Sequence, residues 1–358
     1  MAVGRFMQEA VSKDYSIWWQ KPGTYPANAQ KPKPFIKEGE RPISVLENYK
    51  RCVQGNKPLW MPLYQEEKNI VWPDCIVEHP VPEADGYDWW GTYWADVPAG
   101  MAVAADTRVV NDWGNWEAEL EWPDIELVDW ETDGKKISST FDPQRAHVYE
   151  CNEGLFERIH ELIPFDESLL AFYTEPEATE RFFKKMVEYK IATIEKVFKY
   201  YGRVDGVLYH DDWGTQRASF FSPQMFEEQI LPFEKQIVDY VKSQGRFLEL
   251  HSCGNNMVLV PLMIKMGIDM WAPQPSANDF DYLFNNYNEE ISFAFGVPLT
   301  ADMNEEEVKQ ACRNFVDKFG PNGRVMAWVR RGSCKPEYMD IANQEIVRYS
   351  MEYYAKRW

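Results

Sequence analysis

The chain has 358 residues, which is the length of about two average domains or of one α/β barrel. Hydrophobic residues make up 45% of it and charged residues 27%, as in ordinary globular proteins with a large core. Its 57 acidic residues outnumber its 38 basic ones, so the formal net charge is −19. Such a chain lacks the basic surface that binds phosphate backbones and anionic lipids, which excludes nucleic acid and membranes as expected partners.

Neither a membrane span nor a secretory leader is predicted. The sequence contains no run of 18 apolar residues, and its start has no apolar stretch before a small-residue cleavage site. We therefore expect a cytoplasmic protein. The six cysteines lack the close pairing of a disulfide scaffold, so in a reducing compartment they would be thiols or metal ligands.

The first third of the chain is irregular. Residues 1–42 are predicted to form an N-terminal arm, because five prolines interrupt any helix there. Ser44 then begins a helix that ends at Gly55, and the apolar run LWMPLY at 59–64 is a candidate first strand. From there to about residue 150 the sequence is typical of loops.

After residue 150, buried strands and amphipathic helices alternate. Thr174 and Glu177 are predicted to form a capping box before a long helix, and Ser222-Pro223 is predicted to begin another. The predicted strands are GVLYHDD at 206–212, RFLELHSC, IDMWAPQ, ISFAFGV and RVMAWVR, each followed by a helix. Near-continuous apolar strands of this kind are typical of a parallel sheet that is covered by helices.

A doubly wound sheet and a (β/α)8 barrel both fit this alternation. No G-x-G-x-x-G motif follows any strand, so a dinucleotide-binding sheet has no support. Polar, reactive residues stand at the carboxyl end of strand after strand, which is where barrel enzymes gather their chemistry. We therefore predict an α/β protein, a (β/α)8 TIM barrel over residues 43–358 that is preceded by the irregular arm at 1–42.

The sequence His251-Ser252-Cys253 ends one predicted strand and is the first candidate metal site. The side-chain period of two turns His251 and Cys253 to the same side. Imidazole and thiolate both bind zinc, and a catalytic zinc keeps one coordination position open. Cys334, after the last strand, would reach the same rim of the barrel. The alternative is that these cysteines are small buried hydrophobes, which is what we expect of the other four.

Acidic residues near this rim are the candidate catalytic groups. Asp211 and Asp212 are adjacent at a strand end, so they point to opposite sides and one of them faces the barrel axis. The other would cap a helix or pair with Arg217. Glu249, two residues before His251, is expected to point inward one layer deeper, where it would contact a metal or orient His251.

Aromatic residues are abundant, and eleven of the fifteen tryptophans lie in the first 130 residues. Most buried tryptophans simply pack in cores, which is one interpretation of this cluster. They can also line a pocket for an aromatic ring or a methylated cation. On that second interpretation the predicted substrate-binding residues are Trp89, Trp90 and Trp94, together with His210, Trp213 and Gln274 at the strand ends.

Five segments of the chain form a pattern that resembles a known family. They are SVLENYKRCVQGNKPLWMPLY, GYDWWGTYW, YHDDWGTQRASFFSPQMFEEQILPF, LELHSCGNN with GIDMWAPQP, and a GSC segment near the end. Their order over about residues 43–358 resembles the uroporphyrinogen decarboxylase superfamily and, within it, the corrinoid-dependent methyltransferases. The resemblance implies a (β/α)8 barrel and a zinc site at His251, Cys253 and Cys334. It also implies a corrinoid (cobalamin) that is carried by a small partner protein.

One segment departs from the decarboxylases of that superfamily. They carry an Arg-containing, Gly-rich segment after the first strand, where this chain has PLYQEEKNIVWP. We expect this acidic segment to form an entrance that repels a polycarboxylate substrate, which disfavours decarboxylation of uroporphyrinogen.

The resemblance thus implies a zinc-dependent methyltransferase that moves a methyl group between a small methylated substrate and the cobalt of the partner's corrinoid. Zinc would act as a Lewis acid on the heteroatom that carries the methyl group. A methoxylated aromatic or a methylated amine is the favoured substrate. The alternatives are methyl transfer from the corrinoid to a thiol, a metal-free decarboxylase, and a non-catalytic barrel with a structural zinc.

Overall fold

The computed structural model describes residues 41–78, 86–97, 100–104 and 107–358, so nearly all of the predicted arm lies outside the described residues. The strands are β1 (Lys68–Val71), β2 (Gly86–Tyr87), β3 (Tyr93–Val97), β4 (Gly100–Val103), β5 (Ala146–Cys151), β6 (Gly206–His210), β7 (Phe247–Ser252), β8 (Met270–Pro273), β9 (Ser292–Gly296) and β10 (Val325–Trp328). The main helices are α1 (Val45–Gln54), α2 (Trp130–Ser138), α3 (Leu155–Leu162), α4 (Phe165–Thr174), α5 (Pro176–Tyr200), α6 (Leu231–Ser243), α7 (Val260–Met266), α8 (Phe280–Tyr287), α9 (Glu305–Phe319) and α10 (Pro336–Ala355).

Seven parallel strands form one curled sheet in the order β1-β5-β6-β7-β8-β9-β10. Leu63, a few residues before β1, makes a parallel bridge with Ala327 on β10, which brings the two edges of the sheet together. The predicted α/β barrel is therefore confirmed. In the part of the chain that the structure describes, it has seven hydrogen-bonded strands and a single bridge at the position where the sheet closes.

Two hydrophobic clusters hold the barrel together. The smaller one lies inside the sheet and includes Val148, Leu208 and Met326, which alternate with outward-facing neighbours. The larger one joins the outer face of the sheet to the helices. Helix α1 closes one end of the barrel, because its Tyr49 is fully buried in the inner cluster.

Most of the elements predicted after residue 150 are confirmed. The five predicted strands correspond to β6–β10, and Ser222 caps the short helix Pro223–Met225 by accepting a hydrogen bond from the Met225 amide. The predicted capping box is wrong. Thr174 ends α4, and α5 begins at Pro176, whose fixed φ suits the first helical position without a side-chain cap.

The loop-rich region before residue 150 contains more structure than predicted. Strands β2–β4 form a small antiparallel sheet, and β5 pairs with both β1 and β6 in the barrel. The candidate strand at 59–64 supplies only the bridge at Leu63, and the regular strand begins at Lys68. The polar residues Lys68 and Glu150 interrupt the apolar pattern of β1 and β5, although both are buried.

Among the described residues, no helix has the length and the apolar character that a membrane span requires.

Candidate metal centre

Three side chains meet at the carboxyl ends of β6 and β7. His210, Asp212 and His251 offer ligand atoms that all lie within 4.8 Å of one another. His210 ends β6 and pairs in register with His251 on β7, so the two imidazole ring centroids are 4.4 Å apart. All three side chains are partly exposed. Two imidazoles and a carboxylate at this spacing can hold a divalent metal ion.

Cys253 lies beside this group, as the H-x-C spacing predicts. Its Sγ is 3.3 Å from Nε2 of His251, whose Nδ1 lies 3.0 Å from the carbonyl oxygen of Ala272. A carbonyl only accepts, so Nδ1 carries the proton and Nε2 is the nitrogen available to a metal. Burial lowers the pKa of His251, which keeps the imidazole neutral as a ligand must be.

The thiol of Cys253 is protonated in the absence of a metal ion. Burial raises its pKa, and the neighbouring Asp212 carboxylate raises it further. A divalent cation at this position would reverse both effects, because it favours the thiolate and neutralises the carboxylate. Cys253 can therefore join the site, with release of its proton.

The loop after β7 is held in place by two of the predicted residues. Asp212 Oδ1 accepts a hydrogen bond from the Cys253 amide at 2.6 Å, and Gln274 Oε1 accepts one from the Gly254 amide at 2.8 Å. Gly254 has a φ of +88°, and a Cβ there would lie 2.2 Å from the backbone of Gly214. Gln274, predicted to bind substrate, thus positions the loop that carries Cys253.

Asp211 faces the opposite side of the strand from Asp212. It is fully buried and accepts hydrogen bonds from the amides of Phe156 (3.2 Å) and Glu157 (2.8 Å) in the first turn of α3. Its carboxyl also hydrogen-bonds Glu234 of α6. Asp211 therefore has the helix-capping role that the sequence left open for one of the two aspartates.

The Asp211–Glu234 pair predicts a pH-dependent stability. Burial raises the pKa of Glu234 well above its usual range, and so does the Asp211 carboxylate. The protonated form contributes stability that is present at low pH and is lost as pH rises towards the folded-state pKa. Glu234→Gln mimics the protonated acid, so we expect it to reduce the loss of unfolding free energy between pH 5 and pH 8 by about 1 kcal/mol or more. Urea unfolding at both pH values measures this, and equal losses in the variant and the wild type would contradict it.

Glu249 points into the barrel below His251, where it has two partners. Its carboxylate lies 2.8 Å from Nζ of Lys68 and accepts a 2.5 Å hydrogen bond from the Tyr49 hydroxyl. All three side chains are buried. The structure thus places Glu249 in an ion pair inside the barrel, one layer deeper than the histidines.

Glu150 was missed by the sequence interpretation, because β5 was assigned to a loop. It is buried near the end of β5, and its Oε1 lies 3.9 Å from Nε2 of His210. Burial raises the pKa of Glu150 to about 7, against the opposing effect of Lys68. The signal that could have identified it is the strand AHVYEC, which places a carboxylate at the same rim as the histidines.

Further carboxyl groups lie in α3 and just before it. Glu153 and Glu157 are buried, and burial, Asp212 and Glu153 raise the pKa of Glu157 well above its usual range. The acidic segment PLYQEEKNIVWP was predicted to form an entrance, and the structure describes one of its two glutamates, Glu67, as buried. Glu67 in that segment is buried and accepts a 2.8 Å hydrogen bond from the indole of Trp60, so it does not face an entrance.

The tryptophans Trp89, Trp90 and Trp94, which were predicted to bind substrate, are buried. The indole nitrogens of Trp90 and Trp94 donate to Glu78 (3.3 Å) and Asp88 (3.1 Å), and Arg158 pairs with both of these carboxylates. Trp89 and Trp213 are also buried, Trp213 against Phe226 at 4.7 Å. These contacts fit the core-packing interpretation of the tryptophans.

Cys334 lies in the loop between β10 and α10 and is buried. Its Sγ is 3.6 Å from Sδ of Met339. Within the described ranges, the residues with metal-ligand spacing are His210, Asp212 and His251, and neither Cys253 nor Cys334 belongs to this group. The role of Cys334 as a ligand stays a prediction. All six cysteines are free thiols.

Fold and site together define an α/β barrel with a candidate metal centre at its carboxyl rim. Residues 161–291 match the family model described as uroporphyrinogen decarboxylase (URO-D), which confirms the predicted resemblance to that superfamily. No curated protein matches the chain.

Comparison with solved structures supports the fold. A methyltransferase from Methanosarcina mazei is similar over 87% of this chain and 99% of its own, with 11% identity and a TM-score of 0.62. An endo-beta-1,4-xylanase from Gloeophyllum trabeum is similar over 63% of this chain and 82% of its own, with 10% identity and a TM-score of 0.38. The first likeness shows that the barrel is shared, and the second is too weak to support an argument.

Proposed function

We propose that this protein is a metal-dependent methyltransferase that moves a methyl group between a small methylated substrate and the cobalt of a corrinoid carried by a partner protein. The observation that carries the proposal is the cluster of His210, Asp212, His251 and Cys253 at the carboxyl rim of the barrel. The resemblance to the uroporphyrinogen decarboxylase superfamily and the likeness to a methyltransferase fold support it.

The residues present suit a zinc ion. A neutral imidazole, a carboxylate and a thiol that can ionise form a donor set of the kind that zinc accepts. Bound there, zinc would act as a Lewis acid on the heteroatom that carries the methyl group. The protein's own contribution is to hold these donors on two adjacent strand ends and to fix the His251 tautomer through Ala272.

The charge around the cluster bears on the substrate. The buried carboxyl groups of Glu150 and Glu157 adjoin it, and a polycarboxylate would meet repulsion from them in their ionised forms. This supports methyl transfer over decarboxylation of a porphyrinogen. A neutral methoxylated aromatic suits such surroundings better, and so does a methylated amine, which arrives as a cation and whose nitrogen can bind zinc only after it loses its proton. Transfer to a thiol, bound as thiolate, is the second candidate, and the partly exposed Cys253 with its metal-ligand neighbours supports it.

The test is methyl transfer with free cobalamin in place of the partner protein. Zinc-loaded enzyme is mixed with reduced cobalamin and one methylated amine or methoxylated aromatic at a time, and formation of methylcobalamin is followed by absorbance. The reverse assay offers methylcobalamin and a thiol. We expect one class of substrate to react at a rate proportional to enzyme concentration. Zinc-loaded, folded enzyme that is inactive in both directions, also with corrinoid-binding proteins encoded beside its gene, would refute the proposal.

A further inference from the structure

We infer that the metal ion at this rim is held by His210, Asp212 and His251, with Cys253 as the one thiolate, and that Cys334 is not required. The inference rests on the proposed function for the existence of a metal, and it names the ligands from this chain's own geometry. It gives a site with two imidazoles, a carboxylate and a single thiolate. The sequence comparison instead implies one imidazole and two thiolates.

The two strands hold the donors rigidly. His210 and His251 are register partners in a parallel pair, so the hydrogen bonds of the sheet fix the distance between them. Asp212 follows β6 directly, and the Asp211 amide still bonds to the His251 carbonyl at 3.2 Å. The three donors are thus preorganised before any ion binds, which is the requirement for a metal site of useful affinity.

Neighbouring groups contact the donors from behind. Ala272 accepts from Nδ1 of His251, Glu150 lies 3.9 Å from Nε2 of His210, and the Cys253 amide binds Oδ1 of Asp212. Carbonyls and carboxylates of this kind orient metal-bound histidines in known sites. His251 and Asp212 therefore each have a hydrogen-bonded partner that fixes their direction, and the Glu150 carboxyl lies close to His210 at a distance longer than a hydrogen bond.

Cys334 makes its side-chain contact away from this group. Its side chain is buried, and its sulfur lies 3.6 Å from Sδ of Met339 in the first turn of α10, whereas Sγ of Cys253 lies 3.3 Å from Nε2 of His251. Among the described residues Cys334 is not in the group whose ligand atoms lie within 4.8 Å of one another, so joining that group would require it to move. Such a movement costs free energy, whereas His210 and Asp212 can bind the ion without moving.

The ligand set predicts a change in metal preference. Two thiolates favour soft ions, whereas imidazole and carboxylate donors also accept borderline ions such as Co²⁺, Ni²⁺ and Fe²⁺. We therefore expect the site to discriminate less between zinc and these ions than a site with two thiolates.

The experiment is metal binding to chelator-stripped protein, measured without turnover. Zinc affinity is determined for the wild type, Asp212→Asn, His210→Gln and Cys334→Ser, with circular dichroism to confirm folding. Asn keeps an acceptor for the Cys253 amide, so it removes the charge and leaves the loop contact. We expect the first two variants to lose at least tenfold in affinity and Cys334→Ser to bind as the wild type does.

A second measurement covers variants that fail to fold. The Co²⁺ form of the wild type shows thiolate-to-metal charge transfer in the near ultraviolet, and its intensity counts the thiolates. We expect the intensity of one thiolate, absent in Cys253→Ser and unchanged in Cys334→Ser. The inference would be overturned if Cys334→Ser lost its metal while Asp212→Asn bound it normally. It would also be overturned if the charge-transfer intensity were that of two thiolates. Normal metal binding without methyl transfer would instead refute the proposed function alone.

Discussion

Replacing His251 with alanine is expected to remove the metal ion and methyl transfer together. His251 is the residue shared by the geometric group and by the H-x-C pair, since it lies within 4.8 Å of His210 and Asp212 and 3.3 Å from Cys253. Loss of a partner that only orients a ligand costs about 10–100-fold in metal affinity, so loss of the ligand itself should cost more than about 100-fold. Zinc content after gel filtration and the cobalamin assay measure the two effects.

The matched control is His147→Gln, also on a barrel strand. His147 is buried near the start of β5, and its ring nitrogens lie 2.8 Å and 3.0 Å from the carbonyls of Arg203 and Asp142. We expect this variant to keep its zinc even if it is less stable, because these contacts are structural. Equal zinc retention in the two histidine variants would show that His251 is not a ligand.

Much of the barrel could be predicted from the sequence after residue 150. Strands β6–β10 are short, mostly apolar runs, four of which end in Gly, Pro or a polar residue, and the helices between them carry apolar faces. In these elements the local hydrophobic pattern agrees with the burial that the structure shows, so the period of the hydrophobic residues was enough to predict the strands and helices. The position of His251 and Cys253 at a strand end followed from the same pattern.

The first half of the barrel could not be predicted in this way, because its strands bury charges. Lys68 begins β1 and Glu150 lies in β5, and each is stabilised by partners from distant parts of the chain. Lys68 and Glu249 are separated by 181 residues, and no local pattern shows that they meet. His210 was predicted to contact the substrate, because no local pattern shows that its imidazole meets that of His251 on the neighbouring strand.

The buried ion pair between Lys68 and Glu249 predicts the largest effect on stability. Lys68 is 2% exposed and Glu249 is fully buried, and their charged atoms are 2.8 Å apart. Lys68 also lies over the ring of Tyr64, with Nζ 3.6 Å from the ring centroid, and Glu249 accepts from Tyr49. Burial lowers the pKa of Lys68, and Glu249 opposes this shift by favouring the charged ammonium. The barrel interior tolerates these two charges because each satisfies the other.

Removing one of the two charges should therefore cost more than removing both. We expect Lys68→Met to lower the free energy of unfolding by about 3–5 kcal/mol, because it leaves the Glu249 carboxylate buried without its cation. Lys68→Met with Glu249→Gln leaves no buried charge from the pair, and the amide can still accept from Tyr49, so most of the loss should be recovered. Urea unfolding of the wild type, both single variants and the double variant gives the coupling energy. A loss below about 1 kcal/mol in Lys68→Met, or additive losses in the double variant, would mean that the pair does not stabilise the barrel as argued.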